Sequence, residues 1–299
     1  MKRILVPVDF SDCANAAVEV ALKIAKKAKM ELFFLHLFPV RDSDPHVPGH
    51  ANIYDKTPQD ARHGQAKQHL SAIVLKAEAL GLKATPVLVY NEGYDNIEDY
   101  IAPYDIDLVI MGSHGERAIK QAMLGSNTRS FIRHATAPVL VIKESLSDFS
   151  VRRIVFASSF EDDSVKSFEV VKQLAEVWKA DIHLLYVNTP YHFKETHDSL
   201  IAIKTFMKQF PGVEYTPIIY NAFNEEEGIH RYANDYKMDL IAISTHGRKG
   251  FLKLLVHSVA ETVAMDEDIP VLVINMKELN VKENVKDKKQ KDVNFEFKL

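Results

Sequence analysis

Gly112 and Gly115 are followed, after nine intervening residues, by Gly125-Ser126. Glycines at this spacing let main-chain amides close around an anion with no Cβ in the way, so the segment is suited to nucleotide phosphates. ATP is therefore the first ligand to consider. Gly112 follows Leu108-Val109-Ile110-Met111, an apolar run of the length of a buried strand. Gly125-Ser126-Asn127 stands where a helix begins, because Phe131, Ile132 and Ala135 keep helical apolar spacing before Pro138 closes it. A helix start offers unpaired amides and the positive end of a dipole, which suits a terminal phosphate. A lone Gly-x-x-Gly also makes an ordinary turn, and the segment is neither a P-loop nor the Gly-x-Gly-x-x-Gly of dinucleotide folds.

The elements that must position these residues occur twice. Arg3-Ile4-Leu5-Val6 returns as Arg153-Ile154-Val155-Phe156, and Leu35-His36-Leu37 as Leu185-Tyr186-Val187. Asp107-Leu108-Val109-Ile110 returns as Asp239-Leu240-Ile241-Ala242, and Ser113-His114-Gly115 as Thr245-His246-Gly247. Ala137-Pro138-Val139-Leu140-Val141-Ile142 returns as Ile269-Pro270-Val271-Leu272-Val273-Ile274. The 299 residues thus divide into two copies of one fold, 1–145 and 150–276, followed by a charged tail, 277–299. The first copy carries extra residues around Val40 to Pro58. Within each copy strands alternate with helices such as the one bearing Ala17, Val20, Ala21, Ile24 and Ala25, which implies an α/β fold with a parallel sheet covered on both faces.

Net charge is −4, so nothing in the composition points to a nucleic-acid surface. No apolar run reaches membrane-spanning length and the N-terminus enters a strand directly, so a soluble, unexported, cytoplasmic protein is expected. The single cysteine, Cys13, cannot form an internal disulfide, which fits a reducing compartment. It is expected to pack at the start of the first helix.

The pattern Gly112-2x-Gly115-9x-Gly125-Ser126, a following helix and Pro138-Val139-Leu140-Val141 closely resemble the ATP-binding signature of the universal stress protein family. Arg3-Ile4-Leu5-Val6-Pro7-Val8-Asp9-Phe10-Ser11 resembles the family's first strand and acidic turn. The resemblance implies two repeated, doubly wound, parallel five-stranded sheets of strand order 3-2-1-4-5, flanked by helices. In that order the ends of strands one and four flank the point where the winding reverses, where ligands of such sheets collect. Asp9 and Gly112 then meet at one crevice.

By the same resemblance, Pro7, Val8 and Asp9 line the nucleoside, with the Asp9 carboxylate near ribose hydroxyls or a phosphate-bound metal. Asp9 also reads as a helix N-cap, a place for which Ser11 and Asp12 are equally fitted. Leu37 occupies the adenine position. Met111 and Ser113 flank the glycine turn, Gly115 admits the phosphates, and Ser126 and Asn127 donate to the terminal group. His114 either touches a phosphate or stabilises the turn. Magnesium is the expected companion, since it binds mainly through phosphates and water.

The second copy departs at these positions: Ser159 stands for Asp9, Ser244 for Gly112 and His257, before Ser258, for Gly125, while Gly247 keeps its type. ATP is therefore expected in the first copy only, with His257 at a helix start as a candidate for some other anion. The first copy's extra loop is read as containing His46, His50, His63 and His69, as a plain surface loop with Pro45, Pro48, Gly49 and Pro58, as a lid near the adenine, or as a metal-binding stretch. At the far end, Val293-Asn294-Phe295-Glu296-Phe297-Lys298-Leu299 alternates like a strand with one buried face, against the reading of a plain tail. Each copy ends its sheet in an apolar fifth strand, Val139 to Ile142 and Val271 to Ile274, and two such edges invite pairing as an internal pseudo-dimer. A homodimer is a further option.

The expected function is that of a nucleotide-responsive stress or regulatory factor. Slow ATP hydrolysis or self-phosphorylation at the same site is the enzymatic alternative, and a nucleotide-independent interaction module is the third. Replacing Gly115 by Val is expected to abolish ATP binding in a calorimetric titration while the fold persists, because a side chain blocks main-chain approach on a surface turn. Gly247→Val is expected to leave ATP affinity unchanged, and equal losses in the two variants would reassign the site.

Overall fold

The computed structural model describes residues 1–39, 58–91, 96–113, 128, 131–132, 135–143, 149–161, 164–245, 259–260, 262–264 and 268–275. His46, His50, His114, Gly115, Gly125, Ser126, Asn127, Gly247, His257 and the tail from 277 lie outside the described residues. The first half contains β1 (Arg3–Pro7), α1 (Asp12–Ala28), β2 (Glu31–Pro39), α2 (Pro58–Ala79), β3 (Ala84–Asn91), a short 3-10 helix (Ile97–Tyr100), β4 (Leu108–Gly112) and β5 (Val139–Ile142). The second contains β6 (Arg153–Ala157), α3 (Val165–Trp178), β7 (Asp181–Asn188), α4 (Thr196–Met207), β8 (Thr216–Asn221), α5 (Glu225–Asp235), β9 (Leu240–Thr245) and β10 (Val271–Asn275).

The inner strands are apolar throughout because both sheet faces are covered. In β1, Ile4, Leu5 and Val6 have no exposed surface at all. Ile4 and Val6 pack with Ala17, Val20, Ala21 and Ile24 of α1, whereas Leu5 packs with Tyr100, Ile101 and Val109 on the other face. This is the signature of a parallel sheet between two helical layers. Each half has the order 3-2-1-4-5, and the two run together as β3-β2-β1-β4-β5-β10-β9-β6-β7-β8. The join is antiparallel, with Val139, Leu140 and Val141 opposite Val273, Leu272 and Val271. One ten-stranded mixed sheet therefore replaces two separate ones, since each apolar fifth strand satisfies its open edge with the other.

The repeat extends to main-chain details. Phe10 and Phe160, Lys29 and Lys179, and Asp105 and Lys237 all take left-handed φ angles between 51° and 66° at matching places. Non-glycine residues adopt this conformation at a cost, so its recurrence marks turns fixed by their surroundings. Asp107 Oδ2 accepts from the amides of Lys2 (2.6 Å) and Arg3 (3.1 Å), and Asp239 Oδ2 accepts from those of Arg152 and Arg153 (2.8 and 2.9 Å). Each aspartate thereby ties the start of the first strand of its half to the start of the fourth.

One expectation is corrected. His63 and His69 belong to α2, not to a loop, because the helix begins at Pro58, a residue suited to a first turn. His63, Ala66, Leu70, Val74 and Ala77 form its buried stripe, and His63 Nε2 is hydrogen-bonded to Tyr90 Oη. Among the described residues no helix is long and apolar enough to cross a membrane.

The halves also touch through helices. Lys27 of α1 places its ammonium 4.2 Å from the ring centre of Trp178 in α3, and the Met1 amino group donates to Gln173 Oε1 at 2.9 Å. Trp178 is the only tryptophan and lies in the second half. Replacing Leu140, which is 1% exposed in β5, by Ala is expected to cost about 2–5 kcal/mol. In urea unfolding, Trp178 fluorescence and far-ultraviolet dichroism are expected to shift together. A Trp178 transition unmoved by this first-half variant would show that the halves unfold apart.

Candidate functional site

β1 lies beside β4, with Ile4 opposite Leu108 and Leu5 opposite Val109, and beside β2, with Pro7 opposite Leu35. The carboxyl ends of three strands therefore meet at one rim. Pro7, Val8 and Asp9 leave β1 there, Leu37 stands on β2, and Met111, Gly112 and Ser113 leave β4. Val8, Met111 and Ser113 are buried, Pro7, Leu37 and Gly112 half-buried, and Asp9 exposed. The second part of the glycine motif lies outside the described residues, but Thr128, which follows Asn127 in the chain, is buried and donates its hydroxyl to the Gly112 carbonyl at 3.1 Å. Thr128, Phe131 and Ile132 are helical, and the Ala135 amide bonds the Phe131 carbonyl at 2.8 Å. The helix that follows the Gly-Ser element is thus anchored on the strand that carries the first glycine.

The choice between Asp9 and Ser11 as helix cap is decided by geometry. Ser11 Oγ accepts from the Ala14 amide at 3.2 Å and is the N-cap of α1. Asp9 stands outside the cap and accepts from the Ser11 hydroxyl (2.6 Å) and amide (3.1 Å) with Oδ1. An exposed carboxylate is a pure acceptor, so it suits ribose hydroxyls or a cation rather than a bare phosphate. Cys13 is packed at the start of α1, as expected, where its thiol donates to the Lys143 carbonyl at 2.8 Å.

Gly112 has a role the motif alone does not reveal. A Cβ built on it would lie 2.8 Å from the Cys13 carbonyl carbon, 2.9 Å from Cys13 Cβ and 3.0 Å from the Ala14 nitrogen. Glycine is therefore required by the first turn of α1, independently of any ligand. In the second copy α3 starts later after the left-handed phenylalanine, at Val165, and Ser244 takes the glycine's place. Its buried hydroxyl accepts from Ser167 Oγ at 2.9 Å, and Ser158 and Ser164 hydroxyls are 2.8 Å apart. The Ser167–Ser244 pair stands where the first copy has close main-chain contact.

His36 was missed by sequence reasoning. Its Nδ1 lies 2.7 Å from the Val8 carbonyl oxygen, which only accepts, so Nδ1 carries the proton. Burial holds the imidazole below its ordinary pKa, against the opposing pull of the Val8 bond and Asp9. The ring sits 4.6 Å from that of Phe10, which in turn meets His69 edge-on at 4.8 Å. The available signal was the exchange of His36 for Tyr186 between otherwise apolar strand repeats.

The sequence profile of the universal stress protein family matches residues 1–143 and again 150–275. Universal stress protein MJ0577 of Methanocaldococcus jannaschii is 29% identical over 161 residues, covering 49% of this chain and 97% of the relative. Universal stress protein Slr1230 of Synechocystis is 24% identical over 292 residues, covering 91% of this chain and 99% of the relative. In fold, a crystal structure of a universal stress protein from Archaeoglobus fulgidus superposes with a TM-score of 0.69 at 19% identity, covering 92% of this chain and 98% of that one.

Gly112→Ala is expected to lower stability by about 1–3 kcal/mol in denaturant unfolding, because its methyl meets main chain and not a movable side-chain end. Ser244→Gly is expected to cost about 1 kcal/mol through the lost bond to Ser167. A Gly112→Ala variant as stable as the parent would show that α1 shifts freely.

Proposed function

Because this chain belongs to the universal stress protein family, we propose that it binds ATP in the first-half crevice and serves as a nucleotide-responsive stress or regulatory factor. The observation that carries this reading is the meeting of Pro7–Asp9, Leu37 and Met111–Ser113 at the switch point of the sheet, with Thr128 tying the continuation of the glycine motif to Gly112. Leu37 and Val8 give the base apolar contact, and Asp9 accepts from ribose hydroxyls. The amides of the Gly112–Gly115 turn and of Gly125-Ser126-Asn127 take the phosphates. Magnesium accompanies the nucleotide, held by phosphate oxygens and water with Asp9 nearby. The division into units 1–145 and 150–276, with 277–299 beyond them, is supported by the two separate family matches. The second unit is read as a partner fold without ATP, because Ser159 and Ser244 remove the carboxylate and the close main-chain approach. A buried cysteine thiol outside any disulfide at Cys13 agrees with a cytoplasmic setting.

Isothermal titration of the full chain with magnesium-ATP tests the proposal, and one nucleotide per chain is expected. Asp9→Asn is expected to weaken binding by about tenfold or more, since hydrogen bonds to a charged acceptor contribute about 1.5–3 kcal/mol. Two equal sites, or heat unchanged by Asp9→Asn, would overturn the assignment.

A further inference from the structure

The two copies close their first-strand turns by different means. In the first, the Val8 amide donates to Leu35 (2.8 Å), and the Val8 carbonyl receives the His36 imidazole N–H (2.7 Å). In the second, the matching Ser158 amide donates to Leu185 at 3.2 Å. There, however, Tyr186 stands where His36 does, and its hydroxyl turns to the His192 carbonyl (3.2 Å) in the loop after its own strand. The second turn is held instead by Ser158, whose hydroxyl accepts from the Phe160 amide at 3.1 Å and meets Ser164 at 2.8 Å. The side-chain tie from strand two to the carbonyl of the first-strand turn is thus found in the copy with the intact glycine motif, and its counterpart points elsewhere.

We propose that His36 is a positioning residue for the first crevice, fixing the Val8 carbonyl and through it the Pro7–Asp9 segment. This deepens the reading of the crevice as a nucleotide site and rests on it. His36 adjoins Leu37 in sequence, so one residue couples the adenine wall to the ribose carboxylate. Its ring also supports Phe10, held at a left-handed φ of 66°, and so bears on the turn that delivers Asp9 and Ser11. Burial favours the neutral imidazole, and the Val8 carbonyl, which only accepts, sets its proton on Nδ1. The charged or titratable groups beside it are Asp9 on the turn and His69 on α2.

Two substitutions separate the donor from the ring. His36→Phe keeps an aromatic face toward Phe10 and removes the donor, whereas His36→Asn keeps an N–H where Nδ1 stands. In hydrogen exchange of the full chain, His36→Phe is expected to speed exchange of the 8–11 amides by about tenfold and to weaken magnesium-ATP binding by about tenfold. His36→Asn is expected to hold both within about threefold of the parent. Tyr186→Phe serves as an internal control, loosening residues 192–194 and leaving 158–161 unchanged. Exchange at 8–11 unaffected by His36→Phe, or an Asn variant as impaired as the Phe variant, would overturn the proposal. A parent chain that binds no ATP would defeat the nucleotide reading alone, because the exchange comparison still decides whether His36 holds the turn.

Discussion

Between Gly112 and the first turn of α1 there is no room for a side-chain carbon, and much of the first half follows from that contact. It fixes where α1 begins relative to the end of β4, which fixes the length and path of residues 8–11. Along that path Phe10 is left-handed, as Phe160 is in the second half, and Ser11 caps the helix. Asp9 is then turned outward as an exposed carboxylate at the rim. A glycine read as a concession to a ligand is also the keystone of the turn that presents Asp9.

The second half shows what happens when this contact is relaxed. Its frame is preserved in fine detail, down to the aspartate that ties the strand starts and the left-handed residues that end its first helix and precede its fourth strand. Its rim is not. α3 is drawn back, a serine occupies the glycine's place, and its buried hydroxyl bonds Ser167 where main chain stood close. Framework and rim have separate physical requirements, since the first depends on apolar burial and strand pairing and the second on short-range sterics and hydrogen bonds. A duplicated copy is free to lose one while keeping the other.

The same separation explains what could be read from the residues alone. Leu108–Met111 and Val139–Ile142 are legible as buried strands because both faces of a covered sheet demand apolar side chains, and the need of an apolar edge for a partner points to the β5–β10 join. The repeat then carries the topology from one half to the other. His63 and His69 are misplaced by composition, because prolines, glycines and histidines crowd the stretch before α2 and mask where its stripe of His63, Ala66, Leu70 and Val74 starts. The second role of Gly112 depends on the approach of a helix nearly a hundred residues earlier in the chain. The His36 bond ends on a main-chain carbonyl, which every residue type offers, so no pattern of residues marks its partner.

Antiparallel pairing of β5 with β10 reverses the strand direction midway across the sheet. The carboxyl ends of β1 and β4 and those of β6 and β9 consequently emerge from opposite margins of the molecule. Among the described residues the two rims share no wall, and they open on opposite edges of the sheet. Among the described residues, the halves are joined by the ladder of buried valines, leucines and isoleucines and by the Lys27–Trp178 and Met1–Gln173 contacts, which are the routes open to any influence between them. Whatever each rim meets is therefore met from opposite sides of one continuous sheet.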